Sequence, residues 1–361
     1  MVAHGFADVA AVREGDRLVV AFGNARYRDD RRAVREAAEL LLPLLAQHEE
    51  LVLVPTIRAV PLAAVRFPAS APALPAVSLD LSDLPPLTSL SRAGSSFGRV
   101  DVVLHPWFEA VFGDYDNPVA SRTGIAPEVR VAIRRGLGLS VQALVAIQDD
   151  VPTGETRVRP ALVTLNQLVR LPGNLFVSAT AGTFTPDRYG ADLEARIFSA
   201  DGRLSAGTQL GLTGATWYSR DGWVRTPMDE RTALVDVAWR VAPYDLLLNV
   251  AGGAFLEDAS GVRVDMVRRF GEVEIGGFLV ETPKGANGGI VLRIPLLPAV
   301  HPKPRPLRIR AADRFLWQYW YTGRVPGGRP YRTGPTLLDR DRHSGMYDKH
   351  RTGFRYSSEH Y

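Results

Sequence analysis

The sequence predicts a mainly β protein, an antiparallel meander of about 12 strands preceded by a small α/β unit. Three observations predict it. From about Gly98 to Leu297 the chain is a succession of strand-length runs separated by Gly, Asp, Pro and Asn. Inside several runs apolar side chains alternate with charged ones, the period of a pleated strand. Before Pro68, by contrast, one helix-period segment lies between short apolar runs.

The α/β unit comes first, as a domain over 1–67. "DRLVVAF" (Asp16 to Phe22) reads as a strand. "DDRRAVREAAELLLPLLAQHEE" places Val34, Ala37, Leu41 and Leu44 or Leu45 on one helical stripe behind an acidic start, and Pro43 should kink or end that helix. "LVLVP" and "LAAVRF" follow as strands, which makes a βαββ arrangement. Residues 68–95 are rich in Pro, Ser and Ala and read as a linker.

The meander occupies 96–300. Its runs are about ten residues long, joined by short turns such as "RRGLG", "SADGR", "APYD" and "FGE". Ala191, Leu193, Ala195 and Ile197 alternate with Asp192, Glu194 and Arg196; Ala233, Val235, Val237, Trp239 and Val241 alternate with Asp236 and Arg240. A sheet with one apolar and one charged face suits a soluble protein, or an outer-membrane barrel with its charges turned inward. The run length favours the barrel, because a tilted membrane strand needs about 9–11 residues whereas soluble strands average about 5–6. The tail, 301–361, opens with a Pro-basic stretch, and "FLWQYWY" then packs five aromatics into seven residues. It reads as a strap over a sheet edge, or as an aromatic cluster for a membrane interface or a sugar ring.

Composition excludes several classes. With 361 residues, 46% hydrophobic and 23% charged, the chain is ordinary for a globular protein and equally for a barrel. A net charge of +4 without a block of like charges offers no footprint for nucleic acid. The absence of cysteine removes disulfides, thiolate metal sites and a cysteine nucleophile. No apolar run is long enough for a membrane helix, and the first residues lack the pattern of a signal peptide.

Catalytic sets do not assemble. Glu272, Glu274 and Glu281 could supply a glycosidase pair, with Glu272 and Glu274 about 6–7 Å apart on one strand face. Arg263 and Arg269 on the neighbouring strand are expected to neutralise them as a structural ladder. The seven histidines, including His343, His350 and His360 in the tail, show no His-x-x-x-His spacing, and no Gly-x-Ser-x-Gly occurs. No catalytic residue, cofactor or metal is expected.

"FLEDASGVRVDMVRRFGEVEIGGFLVETPKGANGGIVLRIPL" resembles the closing hairpins of the YjbH-like outer-membrane proteins of exopolysaccharide biosynthesis. The features that carry the likeness are Gly253, Phe255 and Leu256; Arg268, Arg269 and Phe270; Gly276 and Gly277; and Ile294, Pro295 and Leu296. "EGDRLVVAFGNARYRDD", with Asn24, Arg26 and Tyr27, is similar to that family's N-terminal segment. The stretch with Asp116, Asn117 and Pro118 is similar to the start of its barrel. The likeness runs from about Gly5 to Val300 in the family's order, although longer members carry a second copy of the arrangement.

The resemblance implies an antiparallel meander closing into an outer-membrane-type β-barrel, with a periplasmic α/β domain and a non-enzymatic role in exopolysaccharide export. Its partners would be an extracellular polysaccharide, outer-membrane lipids, and periplasmic or lipoprotein components of a secretion system. The alternative is a soluble periplasmic or extracellular carbohydrate-associated scaffold without a pore. On the barrel reading Asp192, Glu194, Arg196, Asp236, Arg240, Arg263, Asp265, Arg269, Glu272 and Glu274 face the lumen. Val262, Val264, Val273 and Ile275 face lipid. Trp107, Phe108, Trp217, Tyr218, Trp223, Trp239, Trp317 and Trp320 are then candidates for the membrane interfaces, with stacking on sugar rings in a pore or packing at the edge of a soluble sheet as the alternatives for those of the barrel region.

Overall fold

The computed structural model describes residues 1–46, 48–68, 75–86, 91–112, 119–150, 155–219, 221–257, 259–320 and 331–337. Asp116, Asn117, Pro118, Tyr321, His343, His350 and His360 lie outside the described residues. The protein is mainly β, built on two sheets.

The first sheet contains β1 (Ala7–Glu14), β2 (Arg17–Gly23), β3 (Glu50–Ile57), β4 (Val60–Pro61), β5 (Ala64–Phe67), β6 (Ala76–Ser78) and β7 (Ser91–Ala93), with the helix α1 (Asp30–Leu41) between β2 and β3. β2 and β3 pair in parallel, which needs the crossover that α1 supplies. Both are uninterrupted apolar runs because both sheet faces are covered. Phe22, Leu51 and Leu53 pack under α1 on one side; Val19, Val52 and Val54 form a second cluster on the other. Asp29 caps α1 by accepting from the Arg31 N–H, and Ala33, Val34, Ala37 and Ala38 are its buried stripe. The helix ends at Leu41, and Pro43 sits in the 3-10 turn that follows. Leu45 packs on the core, whereas Leu44 is exposed.

Two differences from the sequence reading concern the edges of this sheet. β1 carries no strong sequence signal, because "ADVAAVRE" is too weakly apolar to stand out. β6 and β7 arise within residues expected to be a linker, pairing with β5 and β1 respectively.

The second sheet follows the chain. Its strands are β8 (Val100–Phe112), β9 (Val119–Arg134), β10 (Leu137–Asp149), β11 (Val158–Leu171), β12 (Leu175–Phe184), β13 (Arg188–Phe198), β14 (Leu204–Ser219), the short β15 (Gly222–Arg225), β16 (Glu230–Val241), β17 (Leu246–Phe255), β18 (Ala259–Phe270), β19 (Val273–Thr282) and β20 (Gly285–Pro295), then β21 (Leu307–Ala311) and β22 (Arg314–Trp320). Each strand from β8 to β20 pairs antiparallel with the next, except that β15 folds back on β14 and β14 pairs onward with β16. Twelve meander strands therefore form the main path.

The ends of that path are β21, parallel to β8, and β22, antiparallel to β20. No ladder joins β21 to β22. They are nevertheless consecutive in the chain, separated only by Ala312 and Asp313. At this junction the Ala312 N–H donates to the Leu104 carbonyl of β8 at 2.9 Å, and the Leu296 N–H just past β20 donates to the Asp313 carbonyl at 3.0 Å.

The N-terminal unit sits against one end of the long sheet, the end at which every connection between consecutive meander strands is five residues or shorter. The Gly136 N–H donates to the Arg58 carbonyl at 2.9 Å, the Leu79 N–H to the Ala200 carbonyl at 3.0 Å, and the His301 N–H to the Arg26 carbonyl at 2.7 Å. Arg28 pairs with Glu272 in the turn between β18 and β19. This end is called the near end below, and the opposite one the far end. No helix among the described residues is long and apolar enough to cross a membrane; strands are outside that statement.

Candidate functional site

The long sheet turns apolar side chains outward and charged ones inward. Along β18, Val262, Val264, Met266 and Phe270 are exposed, while Asp265 is buried and Arg263 and Arg269 are partly buried. Along β19, Ile275 and Leu279 are exposed, Leu279 at 72%, and Glu274 is 2% exposed. The same inversion recurs in β13, where Leu193 and Ile197 face out and Asp192, Glu194 and Arg196 are buried. In β16, Val235, Val237 and Trp239 face out while Asp236 and Arg240 face in. Exposed aliphatic side chains continue around β9, β10, β11, β14, β17 and β20. Isolated exposed apolar residues are ordinary, but a face that repeats over every long strand is a contiguous apolar surface.

The buried face is a network of ion pairs. Glu274 is held by Arg269 at 3.1 Å, Arg293 at 3.2 Å and Arg314 at 3.7 Å. Arg196 reaches Asp236 at 2.5 Å across β14, where Gly207 leaves room for the guanidinium. Arg122 binds Asp149 at 2.7 Å and Glu155 at 2.5 Å, and Glu155 also pairs with Arg159. Glu128 takes Arg130 at 2.6 Å and His105 at 2.7 Å. Charges this deeply buried are tolerated only when paired, and here the partners come from the same strand, the next one or the one beyond it.

Two expected contacts are corrected. Glu272 lies in the turn before β19, not on a strand face with Glu274, and its carboxylate goes to Arg28 of the N-terminal unit. Arg263 does not neutralise either glutamate; it pairs with Asp265 two residues along its own strand at 2.7 Å and lies over the Phe278 ring. Arg269 does meet Glu274, as expected.

The aromatic residues divide between the faces. Trp239, with Tyr244 and Phe270, is exposed toward the near end; Phe108, Trp217 and Trp223 are exposed toward the far end. Trp317 is partly exposed, with its ring 6.2 Å from that of Phe108. Trp107 turns inward under Arg159, Tyr218 is buried behind Trp223, and Trp320 packs on Phe278 and Arg263. These three do not belong to the exposed band.

Sequence reading missed one occupant of the buried face. Residues 331–337 lie along it. The Tyr331 ring stacks on Phe184 at 5.5 Å, its hydroxyl donates to Asp192 Oδ2 at 2.6 Å, and the Leu337 N–H donates to Glu194 Oε2 at 2.8 Å. Nothing local in "PYRTGPTL" announces partners more than a hundred residues away. Among the described residues no group of acidic and histidine side chains could hold a metal ion.

No protein-family model, curated protein or solved structure matches this chain.

Proposed function

We propose that the protein is a non-enzymatic outer-membrane β-barrel component of exopolysaccharide export, with its N-terminal unit in the periplasm. The observation that carries this reading is the inverted long sheet, apolar on its exposed face and ion-paired on its buried face, which is the side-chain distribution of a lipid-facing barrel wall. In water the same surface would be a standing aggregation hazard. Ten residues at about 3.4 Å each, tilted by about 40°, span about 25 Å, the height of the apolar band of such barrels. Exposed aromatics lie toward both ends of the band, with Val235, Val237, Val264 and Leu279 between them.

A barrel wall in lipid cannot leave a strand edge open, because unpaired backbone groups find no water there. The segment 307–320 suits the closing role. Its first half pairs with β8, its second half pairs with β20, and the switch at Ala312 and Asp313 is hydrogen-bonded on both sides. Twelve meander strands and one shared closing strand would then form the wall. The N-terminal unit sits at the end without a connection longer than five residues, while the longer connections 113–118, 150–157 and 220–229 all lie at the other end, which agrees with a periplasmic position, since outer-membrane barrels keep their longer loops on the outer side.

The export role rests on the likeness in sequence described above and on the polar lining, which offers hydrogen bonds to a hydroxyl-rich polymer. Deletion of the gene should lower extracellular polysaccharide while intracellular sugar-nucleotide pools stay intact. The protein should fractionate with outer membranes and migrate faster on gels when unheated. Normal export in the deletion strain would contradict the role, and a cytosolic or freely soluble protein would contradict the location.

A further inference from the structure

Asp192 is the exception in a paired interior. The residue is 4% exposed, yet among the described residues no cation lies within ion-pair distance of its carboxylate. Oδ2 accepts from Gln209 Nε2 at 2.8 Å and from the Tyr331 hydroxyl at 2.6 Å, while Oδ1 is buried with no hydrogen-bond partner. Asp192 stands opposite Gly211 on β14, and Gly211 stands opposite Thr232 on β16. The row therefore has a notch at its centre, and the Tyr331 hydroxyl fills it. A Cβ at position 211 would fall 1.8 Å from that oxygen. Thr232 Oγ1 is 3.1 Å away on the other side. A phenol has one proton, and the Tyr331 proton goes to Asp192, so Thr232 is the donor in that bond. Thr213, next along the inner column of β14, also has a buried hydroxyl oxygen without a partner.

Around the notch stand an aromatic face (Phe184), a carboxylate acceptor, an amide and a hydroxyl donor. This is the equipment for one pyranose ring, whose apolar face stacks on an aromatic side chain while its hydroxyls donate and accept. A carboxylate with no cation beside it repels uronates and phosphates, so the set suits a neutral sugar. Tyr331 fills the place such a ring would take. From there the segment runs to the near end, where Leu337 packs on Val60, Leu168 and Phe176. An eight-stranded barrel is filled by its own side chains, and about four or five more strands leave space for an extra chain inside.

We propose that the Phe184–Asp192–Gln209–Thr232 notch is a binding subsite for a neutral sugar unit of the exported polymer, and that residues 331–337 are a built-in plug that holds it shut. The proposal rests on the barrel reading above. Passage of polymer requires Tyr331 to leave and a sugar hydroxyl to take over its bond to Asp192.

The test is conductance of the full-length protein in planar lipid bilayers. Its variants are Tyr331→Ala and the double variant Thr185→Cys with Arg332→Cys. Residues 185 and 332 exchange both backbone hydrogen bonds, at 3.0 and 2.7 Å, and such pairs have Cα atoms about 5.5 Å apart, within disulfide reach. No native cysteine competes. Wild type should conduct weakly and the oxidised double variant less still; reduction should restore the double variant to the wild-type level, and Tyr331→Ala should conduct several-fold more than either. The open Tyr331→Ala pore should be blocked by oligosaccharides released from the producing strain's own extracellular polymer, and adding Asp192→Ala should abolish that block. Equal conductance of wild type and Tyr331→Ala overturns the plug. Block that survives Asp192→Ala, or no block at all, overturns the subsite. If no form conducts although each shows heat-modifiable migration and inserts in liposomes, the pore itself fails, and the plug with it.

Discussion

In the N-terminal sheet, Val19, Phe22, Leu51 and Leu53 are fully buried, while Arg13, Arg17 and Glu50 sit toward its surface. In the long sheet, Asp192, Arg196 and Glu274 are buried, while Val235, Ile275 and Leu279 are exposed, Val235 at 65%. One chain thus follows two opposite rules of burial. The first is the rule for water, where apolar area leaves the solvent and contributes about 25 cal/mol per Å². The second is the rule of the proposed barrel wall, whose surrounding solvent is itself apolar. Within one molecule the smaller sheet is the internal control for the larger.

The largest expected effect tests the interior. Glu274→Ala leaves three guanidinium groups around a lost carboxylate, and breaking a buried ion pair from one side costs about 3–5 kcal/mol. Urea unfolding of the protein folded into lipid vesicles should show a loss of that size. A loss below about 1 kcal/mol would mean a wet, screened interior, as for surface pairs.

A matched pair of substitutions sharpens the contrast. Leu53→Ala in the N-terminal core should cost about 2–5 kcal/mol in any medium. Val264→Arg on the outer face should cost about 2–4 kcal/mol near the middle of a bilayer and less toward an interface. If Val264→Arg is harmless in a membrane-folding assay, the assignment of faces is wrong, whatever Leu53→Ala does.

The smallest effect concerns pH and the start of α1, where the N-terminal unit meets the β21–β22 junction. Burial pushes the Asp30 carboxyl up to about 6, reinforced by nearby Asp29 and Asp313 and opposed by the hydrogen bond from Asn24. An acid whose pKa is higher folded than unfolded ionises first in the unfolded chain, so its contribution to stability falls between about pH 4 and 6 and is level above. Asp30→Asn removes that slope. Hydrogen exchange of the α1 amides should show the variant gaining on wild type across this window; a constant difference would contradict the shifted carboxyl.

The sequence disclosed the strands of the long sheet and the facing of their side chains, because period-two alternation is a local signal. Asp192, Glu194 and Arg196 could be set against Leu193 and Ile197 without knowing any neighbour. Partners were less legible. Glu272 and Glu274 look equivalent in "GEVEIGG", and only the turn geometry sends Glu272 to Arg28. Arg263 is expected to meet the glutamates of the neighbouring strand, but its register partners are Ala251 and Val280, and the own-strand Asp265 takes its guanidinium. The segment 307–320 was opaque for a different reason: it divides its pairing between β8 and β20, so neither half shows a full strand signature. Tyr331 was invisible, since its partners come from β13, β16 and the end of β12.

The claim that the exposed face of the long sheet meets lipid is tested most directly by a nitroxide scan of β18. Because the chain has no cysteine, single cysteines can be placed at 262, 263, 264, 265 and 266 and labelled one at a time, with the protein reconstituted in bilayers. Power saturation then compares collisions with oxygen, which concentrates in lipid, against those with a water-soluble nickel chelate. The account predicts that positions 262, 264 and 266 favour oxygen and exclude the chelate, while 263 and 265 show low oxygen access. Chelate access at 262, 264 and 266, with no alternation in oxygen access, would place that face in water and contradict the account.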